Sequence, residues 1–247
     1  MKKLFIFQLV AVLFFVSCQQ QTQNADDNLP ANHLKGNNIK RTFRANGTLV
    51  SEITINKGKY DGIARNYFEN GKVSHEFIYI NGKKEGTGKL YYTSGKLNTL
   101  IHYVKGKKNG PMIRYYKNGK VAAEIPYEND YPQPGLKEYT KEGKQIDYKT
   151  AIVVKTINRI ATDNKYIIQL STTDKARNVR FFKLMKTSEG LKRQIIPTQN
   201  GVGTITYHLS PGKRVYEQAF LEAQVETLYG NPYVVRKVHS FRINSLL

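Results

Sequence analysis

"ARNYFENGKVSHEF", residues 64–77, consists of two apolar-rich runs separated by Asn70-Gly71. An Asn-Gly pair between such runs predicts a β-hairpin with a two-residue type I′ turn, because both central residues of that turn need a positive φ. The stretch is therefore predicted to fold into two antiparallel strands.

The turn also predicts which residues face each other. The expected cross-strand pairs are Phe68–Val73, Tyr67–Ser74, Arg65–Glu76 and Ala64–Phe77. Alternate pairs lie on opposite faces of a sheet, so this register separates the apolar pairs from the charged one.

The same hairpin pattern recurs every 24 residues. The turn pairs are Asn46-Gly47, Asn70-Gly71, Ser94-Gly95, Asn118-Gly119 and Glu142-Gly143. Two further series keep this spacing: Gly58, Gly82 and Gly106, and Gly62, Gly86 and Gly110. Each connection between hairpins has two glycines around polar residues and is predicted as a longer loop. A fixed period indicates a repeat architecture, and we predict an antiparallel meander over residues 39–147.

Equivalent side chains of a two-strand repeat stack in rows, and neighbours within a row lie about 10 Å apart, which is two strand spacings. One row contains Phe43, Tyr67, Tyr91, Tyr115 and Tyr139, and another contains Tyr79, Tyr103 and Tyr127. Lysines follow the Asn-Gly turns and occupy the longer loops. Cations beside aromatic faces form a candidate surface for anionic ligands. The candidate binding residues are Lys59, Lys72, Lys83, Lys96, Lys107, Lys120, Tyr67, Tyr91 and Tyr115. The alternative is that these lysines only protect the edges of the sheet.

The pattern Tyr-[Tyr/Phe]-x-Asn-Gly-Lys-[Val/Leu] followed by Gly-Lys-x-x-Gly resembles the MORN-repeat variant of bacterial proteins. The resemblance covers roughly residues 39–147, less than half of the chain, and implies a repeat sheet. Proteins with this repeat are often labelled as antitoxin components of toxin–antitoxin systems. The resemblance thus implies an antitoxin-like, protein-interaction role as an alternative function.

After Asp147 the 24-residue period ends. About seven short strand-like runs follow, separated by turn sequences such as Asn200-Gly201 and Ser210-Pro211-Gly212. This spacing predicts an immunoglobulin-like or fibronectin-like β-sandwich over residues 148–247. The expected fold class of the whole chain is all-β.

The N-terminus has the pattern of a secretory signal, with two lysines before an apolar run from Leu4 to Val16. The run is shorter than the roughly 20 residues that a membrane-spanning helix needs. Val16-Ser17-Cys18 resembles the lipobox of bacterial lipoproteins, which implies that residues 1–17 are removed and Cys18 is lipidated. A plain signal peptide that leaves a free thiol is the alternative.

The composition predicts a tether before the repeat sheet and gives the chain a strong positive charge. Residues 18–38 are polar and are predicted to form a flexible tether. The chain carries a formal net charge of +20, which implies attraction to polyanions. The alternative is a lysine-rich surface that is only solvated. Its one cysteine leaves no possibility of an internal disulfide.

The sequence contains no recognisable catalytic or metal-binding motif. No histidine is spaced from another histidine or from Cys18 as metal ligands are, and neither a nucleophile–base pair nor a phosphate loop is present. The recurring Glu52, Glu76 and Glu124 are interpreted as cross-strand ion-pair partners. We therefore expect no metal, no cofactor and no enzymatic activity. The alternative is an envelope enzyme whose site forms only in three dimensions, near residues 128–150.

These observations together predict an exported lipoprotein, anchored through Cys18 in the bacterial envelope and most naturally in the outer membrane. It would act as a non-catalytic binding or scaffold module. The expected partners are anionic glycan, peptidoglycan, lipid head groups or another envelope protein. Nucleic acid is not expected as a partner.

Overall fold

The computed structural model describes residues 38–188 and 190–244. Within these residues the chain forms β-strands and one single-turn helix, α1 (Ile160–Asp163), so the all-β prediction is confirmed. The predicted signal peptide, Cys18 and nearly all of the tether lie outside the described residues.

The first half forms one antiparallel sheet, the repeat sheet. Its strands are β1 (Asn38–Phe43), β2 (Leu49–Asn56), β3 (Lys59–Tyr67), β4 (Val73–Ile80), β5 (Lys83–Lys84), β6 (Gly86–Tyr91), β7 (Leu97–Val104), β8 (Lys107–Tyr115), β9 (Val121–Glu128), β10 (Tyr131–Pro132), β11 (Lys137–Tyr139) and β12 (Gln145–Ile146). They pair in the order β1-β2-β3-β4-β6-β7-β8-β9-β11-β12, while β5 pairs with β4 and β10 with β9. The predicted meander is confirmed.

The two kinds of turn are the reverse of those predicted. At Asn70-Gly71 the Phe68 N–H donates to the Lys72 carbonyl at 2.8 Å and the Gly71 N–H donates to the Phe68 carbonyl at 3.0 Å. Only Gly71 has a positive φ, 77°. This is a three-residue loop, a type I turn followed by a left-handed glycine. The Asn70 side chain accepts the Lys72 N–H at 3.1 Å, and this bond stabilises the loop without a positive φ at Asn70.

The two-residue turns lie instead at the connections predicted as longer loops. Asn81 and Gly82 have φ values of 50° and 82°, and Ile80 pairs directly with Lys83. Lys57-Gly58 and Lys105-Gly106 have the same conformation. These turns have the positive φ at both central residues that type I′ requires.

The three-residue loop explains why the predicted register is only half correct. Near the turn the pairing is shifted by one residue, and Tyr67 faces Val73. Ser74 is then an extra, bulged residue, so that Arg65–Glu76 and Ala64–Phe77 pair as predicted. The predicted pairs Phe68–Val73 and Tyr67–Ser74 are wrong. The bulge recurs once per repeat, at Val50, Ser74, Asn98 and Ala122.

The second half is a β-sandwich. Its strands are β13 (Ile152–Arg159), β14 (Lys165–Thr172), β15 (Val179–Thr187), β16 (Gly190–Ile196), β17 (Thr198–Gln199), β18 (Val202–His208), β19 (Arg214–Glu226) and β20 (Pro232–Asn244). Two four-stranded sheets have the orders β13-β14-β18-β17 and β16-β15-β19-β20. These are the A-B-E-D and C′-C-F-G orders of immunoglobulin domains, which confirms the immunoglobulin-like prediction.

The core of the sandwich takes residues from both sheets. Ile168 and Leu170 from one sheet and Phe181 and Leu221 from the other have exposed fractions of 0–1%. A Cβ at Gly203 would lie 2.8 Å from the Phe181 ring, so a glycine is needed beneath that ring. The repeat sheet ends at Ile146 and the sandwich begins at Ile152, so the division predicted after residue 147 falls in the connection between them.

Candidate ligand site at the junction of repeat sheet and sandwich

The two faces of the repeat sheet differ in chemistry. One face, called the ladder face, has charges that alternate in sign from strand to strand. These charges are Arg41, Glu52, Arg65, Glu76 and Lys89, with nitrogen–oxygen distances between neighbours of 3.5, 3.4, 2.7 and 3.3 Å. The predicted ion pairs of Glu52 and Glu76 are thus present, and Glu124 pairs with Lys137 at 3.2 Å.

The ladder fixes the ionisation of its carboxylates. Burial alone would raise the pKa of Glu76, but the hydrogen bond and the charge of Arg65 outweigh it and lower that pKa. The Tyr67 hydroxyl donates to Glu52 at 2.7 Å and lowers the pKa of Glu52. Burial and this carboxylate together raise the pKa of Tyr67 to about 12.

The structure does not bring the predicted lysines and tyrosines into one site. Tyr67, Tyr91 and Tyr115 lie half-buried at the ends of their strands, next to the Asn-Gly turns. Lys59, Lys83 and Lys107 lie exposed at the opposite edge, about 26 Å away at the rise of a β-strand. The proposed ligand role of these residues stays a prediction.

Two of the three candidate lysines beside the Asn-Gly turns donate to the next turn along the sheet. The Lys72 ammonium donates to the Ser94 carbonyl at 2.7 Å, and the Lys120 ammonium donates to the Glu142 carbonyl at 2.9 Å. Each bond joins one turn to the equivalent turn of the next repeat. Lys96, at the same place in the repeat, is exposed.

A second set of turn-to-turn bonds lies one residue beyond the predicted aromatic row. The Tyr92 and Tyr116 hydroxyls donate to the Tyr115 and Tyr139 carbonyls, both at 2.6 Å. Arg44 donates to the Tyr67 carbonyl at 3.2 Å from the equivalent position. The 24-residue period was the signal that could have revealed this position in the sequence, because hydroxyl-bearing or cationic side chains recur there.

Lysines and tyrosines do meet on the other face, called the sandwich-side face. Tyr79 pairs with Lys84, and Tyr103 pairs with Lys108. The Lys84 ammonium lies 3.6 Å from the Phe77 ring centroid and 5.1 Å from that of Tyr103. These contacts are in the range of cation–π attraction. The second lysine of each Lys-Lys pair is therefore the one beside the aromatic rings.

This lysine–tyrosine row, Tyr79, Lys84, Tyr103, Lys108 and Tyr127, depends on a glycine at its centre. A Cβ at Gly88 would lie 2.6 Å from the Phe77 ring and 3.1 Å from the Tyr103 ring. Only a glycine therefore lets both rings cover strand β6. Burial and the nearby charge of Lys108 lower the pKa of Lys84.

The row leads into a cleft between the repeat sheet and the sandwich, with a volume of about 650 Å³. The sheet contributes Lys108, Tyr127 and Asp130, and the sandwich contributes Arg177 and Arg180. The Asp130 carboxylate accepts the Lys108 backbone N–H at 2.8 Å and fixes the turn beside the cleft. Lys108, Arg177 and Arg180 thus line one concave surface together with two carboxylates, Asp130 and Glu226. The cations are in excess, and a concave surface with an excess of positive charge attracts anions.

A buried polar cluster fixes the two walls of this cleft against each other. Glu138 of β11 is fully buried and accepts hydrogen bonds from Tyr148, Thr227 and Asn231. Arg114 of β8 donates to the Asn231 side chain at 2.5 Å. This Glu138 cluster joins two strands of the repeat sheet to the loop between β19 and β20. A buried carboxylate is tolerated because its oxygens are hydrogen-bonded.

A second contact reinforces the junction. Glu222 of β19 is fully buried and receives bonds from Arg193 and Arg236, both at 2.9 Å. Arg236 also donates to Gln133 at 2.7 Å, and the Arg193 guanidinium lies 4.3 Å from the ring centroid of Tyr131. Gln133 and Tyr131 belong to the repeat half of the chain, so both domains share this ion-pair group.

The junction also contains the perturbed acid that an enzyme site would need. Burial and the hydrogen bond to Glu138 raise the pKa of Tyr148. The hydroxyl and the carboxylate bind each other, however, and the remaining Glu138 oxygen is occupied by Thr227 and Asn231. This arrangement holds the domains together and keeps Tyr148 protonated. The expectation that the chain is not an enzyme stays a prediction.

The MORN repeat variant family matches residues 60–81, 84–105 and 108–129. These three consecutive repeats cover β3 to β9, so this part of the chain is a MORN-variant repeat sheet, a binding or scaffold module. No curated protein matches the chain. Among the described residues no helix is long and apolar enough to cross a membrane, and no three metal-ligating side chains are grouped.

Proposed function

We propose that this chain is an exported, lipid-anchored envelope protein of bacteria that binds an anionic ligand in the cleft between its repeat sheet and its sandwich. The observation that carries the binding part is that three cations, Lys108, Arg177 and Arg180, line that cleft and outnumber its two carboxylates. Charge-assisted bonds from lysine and arginine are the strongest that a protein offers to phosphate or carboxylate groups. The ligand classes that fit are anionic glycan, peptidoglycan, lipid head groups and an acidic envelope protein.

The lipid anchor rests on the sequence pattern that ends at Cys18. Residues 19–37 separate that cysteine from β1, and at about 3.5 Å per residue they reach at most about 70 Å. A folded part on such a tether can sample ligands near the membrane surface on which it is anchored.

Binding is tested with the purified full-length protein, using lipopolysaccharide, peptidoglycan fragments and anionic vesicles at several salt concentrations. We expect Lys108→Gln combined with Arg180→Gln to weaken binding by about tenfold or more, because each charge-assisted bond contributes roughly 1.5–3 kcal/mol. The matched control is Lys155→Gln combined with Arg214→Gln, which removes the same charge from two exposed positions of the sandwich away from the cleft. Equal loss in both double variants would reject the cleft, and binding that is insensitive to salt would reject an electrostatic site.

The anchor is tested by cell fractionation with palmitate labelling of the wild type and of Cys18→Ala. We expect label and membrane association only in the wild type. A cytoplasmic, unlabelled wild type would instead support the antitoxin-like role.

A further inference from the structure

We propose that the edge of strand β1 that pairs with no described strand binds an extended, acidic segment of a partner protein as an added strand of the repeat sheet. This interaction surface is separate from the cleft and does not depend on it.

The two ends of the repeat sheet differ in how they are closed. At one end the last strand, β12 (Gln145–Ile146), has only two residues, and such a short edge offers little to a further strand. At the other end β1 (Asn38–Phe43) has six residues, pairs with β2, and has no described strand on its other side. All six residues of β1 are exposed. Backbone donors and acceptors along such an edge are a template for another chain.

Strand β1 exposes large apolar side chains, which is unusual for an edge strand that is protected against pairing. Ile39 and Phe43 are 52% and 56% exposed, and they lie on either side of Arg41 on the ladder face. Large apolar side chains at alternate positions suit the packing of a neighbouring strand. Phe43 heads the aromatic row whose later members are half-buried between strands on both sides.

The charge ladder specifies what the added strand should carry. Arg65 lies between two carboxylates, those of Glu52 and Glu76, at 3.4 and 2.7 Å. Arg41 has Glu52 on one side, at 3.5 Å, and its side chain is 50% exposed. Because the signs alternate from strand to strand, a strand added beyond β1 continues the pattern with an acidic residue opposite Arg41.

The same charges disfavour a second copy of this chain at the edge. Antiparallel pairing of two β1 strands about their middle places Lys40 against Lys40, or Arg41 against Arg41. Like charges directly opposite each other destabilise a sheet. The edge therefore selects a different sequence: an acidic residue with apolar residues two positions before and after it, which pack on Ile39 and Phe43.

The test measures binding of two labelled nine-residue peptides to the full-length protein by fluorescence anisotropy. Both peptides alternate valine and threonine, and they differ in a central glutamate or lysine. We expect the glutamate peptide to bind about fivefold more tightly, and Arg41→Glu to reverse the preference. Lys40→Glu, which makes the same change of charge on the opposite face, should leave the preference in place. Hydrogen exchange of the amides of residues 38–43 should slow when the glutamate peptide binds.

Several outcomes would overturn the proposal. Equal affinity for the two peptides, a preference unchanged in Arg41→Glu, or no binding of either at millimolar concentration would each exclude a charge-selective edge. Concentration-dependent dimerisation that Arg41→Glu abolishes would assign the edge to a second copy instead. Lys108→Gln with Arg180→Gln should not alter peptide binding, so failure at this edge and failure of the cleft are distinguishable.

Discussion

The repeat sheet and the sandwich are both antiparallel β structures, but different interactions hold them together. Within the described residues the sandwich has one cluster of fourteen buried hydrophobic side chains between its two sheets. The repeat sheet is a single layer, and its buried hydrophobic residues there are Ile101, Tyr103, Ala123 and Ile125, all on the sandwich-side face. Its ladder face is held by ion pairs and its edges by bonds between turns.

This difference separates the roles of the two halves. A sandwich core is insensitive to surface charge, because its stability comes from apolar area removed from water. A single-layer sheet leaves both faces near solvent, so its side chains remain available to ligands. The same exposure means that the sheet buries less apolar area than the sandwich does. The comparison predicts that the same kind of substitution has unequal effects in the two halves.

The largest expected effect follows from removing a side chain at the centre of the sandwich. Phe181 is inaccessible to solvent, and Phe181→Ala should lower the free energy of unfolding by about 3–5 kcal/mol. Phe77→Ala in the repeat sheet, where the ring is half-buried, should cost about 1–2 kcal/mol. Urea denaturation measures both. Equal losses would contradict the distinction between a packed core and an open sheet.

A smaller effect is expected at the junction. Glu138→Ala leaves the half-buried Tyr148 and the buried Asn231 without their acceptor, which should cost about 2–4 kcal/mol. Because the Glu138 cluster joins the halves, the variant should unfold in two transitions where the wild type shows one. Glu142→Ala, at an exposed turn, should change stability by less than about 0.5 kcal/mol. A single unshifted transition in Glu138→Ala would show that the cluster does not couple the halves.

Most of the repeat sheet could be predicted because its signals are local and recur every 24 residues. The Asn-Gly series located the three-residue loops, and the series Gly58, Gly82 and Gly106 located the two-residue turns. Arg65–Glu76 was paired correctly because the bulge at Ser74 compensates for the longer loop. The turn types were reversed, since Asn-Gly suits both a type I′ turn and a type I turn with a left-handed glycine. The hydrogen bonds of Phe68 and Gly71, and the positive φ at Gly71 alone, distinguish the two.

The candidate cleft could not be predicted, because its residues come from distant parts of the chain. Lys108 and Arg180 line one cleft only when the sandwich docks on the repeat sheet, and this docking depends on the bond between Glu138 and Asn231, which are 93 residues apart. Nothing in the local pattern around Glu138 indicates a buried carboxylate. The sequence prediction named Lys83 and Lys107 as binding residues, whereas Lys84 and Lys108 lie beside the aromatic rings. The lysine of each pair that lies on the sandwich-side face can be identified only when the two-residue turn is known.

The turn-to-turn bonds predict a substitution that strengthens the repeat sheet. Phe68 occupies the position of Tyr92 and Tyr116 but has no hydroxyl. Phe68→Tyr should add a bond to the Tyr91 carbonyl and stabilise the protein by about 0.5–1 kcal/mol, whereas Tyr92→Phe should destabilise it by about 1 kcal/mol. Thermal unfolding of both variants measures this, with Tyr216→Phe, at a tyrosine that is 69% exposed, as the control. A destabilised Phe68→Tyr would show that the repeats are not equivalent at this edge.

The smallest expected effect concerns pH and distinguishes the ladder from the apolar core. The folded-state pKa of Glu76 lies below its ordinary value of 4.5, so the ladder stabilises the protein above pH 4.5. As the pH falls from 4.5 through the folded-state pKa, the carboxylate is protonated and this contribution is lost. It should amount to no more than about 1 kcal/mol, because the Arg65 and Glu76 side chains are 34% and 17% exposed.

Urea denaturation between pH 7 and pH 3 measures this contribution in the wild type and in Glu76→Gln. The variant should be less stable at pH 7 and should lose less stability below pH 4.5, so that the two curves converge in acid. Glu128→Gln, an exposed residue of β9 outside the ladder, should follow the wild type at every pH. Parallel curves of stability against pH for the wild type and Glu76→Gln would contradict this prediction. The ladder's charges would then set the register of the strands without adding to their stability, and the repeat sheet would depend on its turn-to-turn bonds.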